Sequence, residues 1–177
     1  MKNTLILATA LSAFAFTGLL NAQAGVAGSG TLGVTANLQG SILLTFSAAT
    51  SGAAITGTGT SAGSLAFGTV QMYGGSVASG VTRTLTGTTG FTLSTPINIE
   101  VEVANSASAA YTLAATLNTA DAVNTWTFNN VTLSGTVASI TVAGLYGTTP
   151  YPFVLGVPAS EATGSVSNTI NFTATTN

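Results

Sequence analysis

The stretch from Thr31 to Phe46, TLGVTANLQGSILLTF, alternates regularly enough to constrain what the chain can fold into. Every second residue is apolar, with Gly40 as the one gap: Leu32, Val34, Ala36, Leu38, Ile42, Leu44 and Phe46. The positions between them are polar or glycine, apart from Leu43. A period of two is typical of a half-buried β-strand, because successive side chains point to opposite faces. The sequence therefore predicts a long strand with one covered face.

A straight strand of this length does not fit inside one domain. At about 3.3 Å per residue it would span roughly 50 Å, whereas a domain of this size is roughly 40 Å across. We expect a break at Gly40, which leaves two destinations for the first half. The segment crosses between two sheets of its own domain, as most amphipathic strands pair at home, or it docks into a groove of a neighbouring subunit. In the second case the docking residues are Leu32, Val34, Ala36 and Leu38.

The N-terminus predicts export. Lys2 precedes an apolar run from Leu5 to Leu20, and Ala22-Gln23-Ala24 has the form of a cleavage site. This pattern indicates a secretory signal peptide over residues 1–24, because the run is short for a transmembrane anchor and a cleavage site follows it. Residues 25–177 are then expected to form a single domain, secreted or held at a cell surface, with no membrane span in the mature form.

The charge pattern excludes several classes of function. After residue 24 the only basic residue is Arg83, so there is no basic patch and nucleic-acid binding is not expected. The chain has no histidine, which removes the commonest general base and metal ligand. It also has no cysteine, so stability must come from core packing, β-ladders or a partner subunit. We predict no enzyme, no cofactor and no metal site.

Three later segments alternate clearly, at 97–103, 110–117 and 151–157. We expect Pro96 to end the preceding strand and GTTP at 147–150 to form a turn. The expected inward side chains are Ile97, Ile99, Val101, Val103, Tyr111, Leu113, Ala115, Leu117, Tyr151, Phe153, Leu155 and Val157. No segment after the signal peptide has a helical period, and about nine or ten short strands predict an all-β sandwich or barrel.

Weaker signals complete the set of strands. Residues 48–64 read as a loop or a weak strand pair, and Ser64 to Val70 as a strand with a bulge at Gly68. Val81 to Leu85 is a short strand in which Arg83 indicates an edge position or a paired charge. Val137 to Tyr146 is expected to bury Ile140 and Val142, and Val166 to Ala174 is the last predicted strand.

Three segments together resemble pilin-like secreted bacterial proteins: chaperone–usher pilin subunits, spore coat protein U-like proteins and related exported proteins. They are TLGVTANLQ, the L-x-F-G segment Leu65-Ala66-Phe67-Gly68, and VSNTINFTATTN preceded by Gly164. The resemblance implies an Ig-like (pilin-like) Greek-key β-sandwich. It also implies a fimbrial or adhesive role, assembly into a homo-oligomer or filament, and a periplasmic chaperone as partner. The chain departs from the pilin pattern in lacking cysteine and in having Thr176 next to last.

The expected function is therefore that of a non-enzymatic structural or adhesive surface subunit that assembles by β-strand complementation. Ile170 and Phe172 are the predicted acceptor strand. The alternative is a monomeric secreted carbohydrate-binding module, with Tyr146 and Tyr151 contacting a surface glycan. We expect Trp126 and Phe128 to lie in the core.

Two neighbouring carboxylates are a further candidate site. Glu100 and Glu102 are two apart on one strand face, about 7 Å from each other, and such a pair can serve glycoside hydrolysis or hold a cation. No aromatic platform lies near them in the sequence. A solvated face, with Arg83 pairing to one of them, is the preferred interpretation.

Overall fold

A computed structural model describes residues 32–177, and the described residues contain β-strands and no helix. The prediction of an all-β chain is thereby confirmed. The predicted signal peptide lies outside the described residues. The strands all fall within a compact unit, Asn37–Asn177, whereas residues 32–36 belong to a separate N-terminal unit. A search of the described part for a helix long and apolar enough to span a membrane finds none.

Strands of two to fifteen residues make up this unit. In chain order they are β1 (Ser41–Ala48), β2 (Ile55–Thr56), β3 (Ser64–Leu65), β4 (Thr82–Leu85), β5 (Gly90–Ala104), β6 (Tyr111–Leu117), β7 (Thr125–Phe128), β8 (Val131–Leu133), β9 (Ala138–Gly144), β10 (Gly147–Pro158) and β11 (Ile170–Thr176).

The strands form two main antiparallel sheets and a small hairpin. The larger sheet has the order β1-β5-β10-β7-β8, with β4 also paired to β5. The smaller sheet has the order β11-β6-β9. The hairpin joins β2 to β3, which agrees with the weak strand pair expected within residues 48–64.

The two sheets contribute to one hydrophobic core. Tyr111, Leu113, Ala115 and Leu117 of β6 are all buried, as their alternation predicted. They meet the inner faces of β5 and β10, which supply the buried Ile97, Ile99, Val101, Tyr151, Phe153 and Leu155. Trp126 and Phe128 of β7 are also in the core, as expected.

Pro96 does not end a strand, and that prediction is wrong. β5 runs through it without a break, because the missing N–H of Pro96 faces a position where no ladder bond is required. On one side of β5, β4 pairs as far as Ser94 and β1 begins pairing only at Ile97. In the gap between them the backbone N–H of Ala53 donates a 2.8 Å hydrogen bond to Thr95 Oγ1.

Two other local predictions are corrected. GTTP at 147–150 does not turn the chain, since β10 begins at Gly147 and pairs with β5 from that residue onward. Val142 was expected inside, but it is 67% exposed. The pairing of β9 with β6 shifts register on either side of Leu113, and such a bulge turns the following side chains to the other face.

The first half of the predicted long strand is not a strand within the described structure. β1 begins at Ser41, directly after the expected break at Gly40, while residues 32–40 have no regular secondary structure. The crossing between two sheets of one domain is therefore absent from the described chain. The last strand also starts later than predicted, at Ile170 instead of Val166.

Candidate functional site

An apolar groove of about 1800 Å³ is the main concave feature of the described residues. Ile42, Leu44 and Phe46 of β1 and Ile170 and Phe172 of β11 line its walls. The floor is made of core aromatic and aliphatic side chains, Leu93, Trp126, Phe128, Phe153 and Leu155. We refer to this feature as the groove.

The groove exists because β1 and β11 are edge strands of different sheets. In the described part of the chain β11 pairs with β6 on one side and with no strand on the other. The walls approach each other through aromatic contacts. The ring of Phe172 lies 5.4 Å from that of Phe46 and 4.9 Å from that of Phe128. The apolar side chains of β1 and β11 that line the groove remain only half-buried.

The structure places the predicted acceptor residues and the predicted docking residues in different settings. Ile170 and Phe172 lie on the wall of the groove. The docking residues Leu32, Val34 and Leu38 are 88%, 81% and 79% exposed, and Ala36 is exposed as well. The chain thus carries an apolar groove and an exposed apolar segment of period two.

The two tyrosines predicted to contact a glycan do not form an exposed platform. Tyr151 is buried, and its hydroxyl lies 3.2 Å from that of Tyr111. Tyr146 is half-buried, and its hydroxyl donates a 2.9 Å hydrogen bond to the carbonyl oxygen of Ala110. The glycan hypothesis depended on exposed rings, and Tyr151 lacks that exposure because the loop predicted before it is part of β10.

The carboxylates of Glu100 and Glu102 have different surroundings. Glu100 accepts hydrogen bonds from Thr45 Oγ1 at 3.4 Å and Thr148 Oγ1 at 3.3 Å, and Glu102 is exposed. Among residues 32–177 no cluster of three metal-ligating side chains is found. The predicted pairing of Arg83 with a glutamate is wrong, because its guanidinium binds backbone carbonyls.

A segment that sequence reasoning missed closes one side of the groove. Residues 66–75, which we call the strap, follow β3 and were expected to continue as a strand to Val70. The backbone instead enters the left-handed region at Gly68, with a φ of 73°. Phe67 stacks on Phe153 with ring centroids 5.9 Å apart. Arg83 Nη1 donates to the carbonyl oxygens of Gln71 at 2.7 Å and Gly74 at 2.5 Å.

The loop before β7 contains a carboxylate, that of Asp121, which accepts several hydrogen bonds. The Asp121 carboxylate accepts hydrogen bonds from the backbone N–H groups of Val123 and Asn124, both at 2.9 Å, and from Trp126 Nε1 at 2.8 Å. These donors, the Asn124 N–H first, lower the pKa of Asp121 to about 2. Every one of these contacts is internal, so the arrangement fixes the loop and orients Trp126.

Comparison with known proteins gives no further constraint: no family model, no curated protein and no solved structure matches the chain.

Proposed function

We propose that the protein is a secreted, non-enzymatic structural or adhesive subunit of the bacterial cell surface. Copies associate by β-strand complementation. The segment of one copy that contains Leu32, Val34, Ala36 and Leu38 lies in the groove of the next copy and pairs with β11. In this proposal the described unit is an Ig-like β-sandwich with one strand position left for a neighbour.

The observation that carries the proposal is the match between an exposed segment and an open groove. The segment alternates apolar and polar residues, so one face is suited to an apolar surface and the other to water. β11 has unused backbone hydrogen-bonding groups along one side in the described structure, and such an edge is a template for an added strand. The half-buried residues of β1 and β11 would then be covered.

The size and chemistry of the groove fit a polypeptide strand. Sites for small molecules commonly have volumes of about 300–1000 Å³, and this groove has about 1800 Å³. Covering the apolar side chains of the docking segment would contribute on the order of 6 kcal/mol before ordering costs, at about 1.5–3 kcal/mol per large side chain. Both surfaces are nearly free of charge, so neither opposes contact between copies.

Export supports the same proposal. In this proposal the signal-peptide pattern of residues 1–24 directs export to the periplasm. A periplasmic chaperone can then cover the groove before assembly. The mature sequence has no cysteine, so complementation by a neighbour takes the stabilising part that a disulfide has in many small exported domains.

The experiment compares two substitutions in adjacent residues of the docking segment. Val34→Ser removes an apolar side chain from the docking face, and Thr35→Ser is the matched control on the other face. We expect the unchanged protein and Thr35→Ser to form oligomers that resist SDS and appear as filaments in negative-stain images. Val34→Ser should shift the population toward monomers by about tenfold, with unchanged circular dichroism.

A monomeric unchanged protein at high concentration would contradict the proposal. So would oligomers that Val34→Ser leaves intact.

A further inference from the structure

The strap is attached to the rest of the protein in an unusual way. Within the described structure, residues 66–75 make no backbone–backbone hydrogen bond to any strand. The strap is held by the half-buried side chains of Phe67, Val70 and Met72, which pack against the core, and by the two hydrogen bonds from Arg83. A segment fixed by few side chains and no ladder opens at low free-energy cost.

Phe67 covers part of the groove floor that a docked strand would need. Its ring is nearly parallel to that of Phe153, with 13° between the planes, and the Phe153 ring also contacts Trp126 and Phe128. The strap and these core rings line the same groove. The Phe67 side chain therefore takes apolar surface that an incoming apolar side chain could otherwise bury.

We propose that the strap is a removable plug of the groove, with Phe67 in a subsite that a side chain of the docked strand takes over on assembly. Arg83 is the clamp that keeps the plug in place in the single chain. This inference rests on the proposed function and adds its regulation: docking requires Phe67 to leave Phe153, so the single chain resists premature assembly. Gly68, Gly74 and Gly75, all with positive φ, give the strap its turning points.

A rigid wall is the opposite role for the same segment, and the two roles predict effects of opposite sign. If the strap is a plug, shortening Phe67 frees the subsite and tightens docking. If the strap is a wall, the same change removes contact surface and weakens docking.

The test measures binding of a fluorescent synthetic peptide with the sequence of residues 31–40, TLGVTANLQG, by anisotropy. The protein is the full chain carrying Val34→Ser, so that its own copies do not compete. We expect Phe67→Ala to bind the peptide about tenfold more tightly, because it removes the apolar bulk that fills the subsite and must leave before docking. Arg83→Gln should raise the association rate by about threefold to tenfold, because the clamp contributes two charge-assisted hydrogen bonds.

Two matched controls define the baseline. Phe67→Leu keeps an apolar plug, and Tyr73→Ala changes a strap side chain that is 59% exposed. Both should leave the peptide affinity within about twofold of the parent. Arg83→Gln also covers the case in which Phe67→Ala does not fold, because it leaves the apolar core intact.

A direct reporter of strap movement is available because the chain has no cysteine. Tyr73→Cys gives one labelling site on the strap, and an environment-sensitive dye there should change its emission when the peptide binds.

The outcomes separate the two proposals. Equal or weaker peptide binding by Phe67→Ala, a slower association for Arg83→Gln, or an unchanged dye signal on binding would overturn the plug and leave the proposed function standing. If the peptide binds neither the Val34→Ser protein nor its Phe67→Ala and Arg83→Gln variants, the plug and the proposed function are both overturned.

Discussion

The hydroxyl oxygens of Tyr111 and Tyr151 lie 3.2 Å apart, and their hydrogen bond joins β6 of the smaller sheet to β10 of the larger one inside the core. Tyr111 has no exposed surface and Tyr151 is 5% exposed. One phenol donates to the other inside the core, and such a hydrogen bond is the condition under which a buried polar pair is tolerated.

The two tyrosine hydroxyls should contribute to the free energy of unfolding as a coupled pair. Tyr151→Phe or Tyr111→Phe leaves a buried hydroxyl without its partner, and each is expected to reduce the free energy of unfolding by about 1–3 kcal/mol. The double variant should lose less than the sum of the two. Urea unfolding of all four proteins forms a double-mutant cycle, and additive losses would contradict the coupling.

The same pair predicts a loss of stability in alkaline solution. Burial, and then the hydrogen bond to Tyr111, raise the pKa of Tyr151 above its ordinary value of 10.0. Above about pH 10 the Tyr151 side chain loses its proton in the unfolded chain but keeps it in the folded chain. The free energy of unfolding therefore falls as pH rises, by up to about 1.4 kcal/mol per pH unit. Tyr151→Phe should flatten this decline between about pH 10 and about pH 12. Tyr73→Phe is the matched control on an exposed side chain and should keep it.

Gly144 is expected to tolerate no side chain because of Tyr111. A Cβ added at Gly144 would lie 2.5 Å from Tyr111 Cζ, and the ring is held by its bond to Tyr151. Gly144→Ala should therefore lower the free energy of unfolding by about 1–3 kcal/mol through overpacking. Gly135→Ala is the control, since its Cβ would meet only Ala120 Cβ at 3.5 Å. Thermal unfolding compares the two, and equal midpoints would disprove the clash.

Asp121 should stabilise the protein at neutral pH and cease to do so in acid. The pKa of its carboxyl is lowered from 3.8 to about 2 by the N–H donors around it. Its contribution is therefore complete above pH 3.8 and is lost as pH falls toward about 2. Asp121→Ala removes the acceptor of the buried Trp126 Nε1 and should cost about 1–3 kcal/mol at neutral pH.

The measurement is urea unfolding followed by the fluorescence of Trp126 at several acidic pH values. Glu102→Gln, on an exposed carboxylate, is the control. A decline in acid that is as steep in Asp121→Ala as in the unchanged protein would contradict the assignment.

Alternation in the sequence predicted strands well where a neighbouring strand exists on both sides. β6 lies between β11 and β9, and each of its predicted inward residues is buried. Residues 32–40 alternate just as clearly but are not a strand in the described structure. Alternation indicates which side chains are suited to burial. A strand also needs a neighbouring strand edge to pair with, and the sequence does not show where that edge is.

Predictions from single punctuating residues were less reliable because their effect depends on distant partners. Pro96 interrupts nothing, since β4 and β1 leave a gap beside it. Pro150 lies within β10 for a related reason, as strand pairing with β5 decides the outcome. The predicted acceptor residues Ile170 and Phe172 line the groove, while the strap and its hold by Arg83 depend on carbonyls nine and twelve residues away that no motif marks.

The division of one side of β5 between β4 and β1 bears on how so weakly charged a chain avoids uncontrolled stacking. A continuous outer strand would present an unbroken row of amides to any passing polypeptide, and few ionic groups would repel it. Two short pieces separated at Pro96 offer no such template. Amyloid-like ribbon growth is therefore disfavoured along that border.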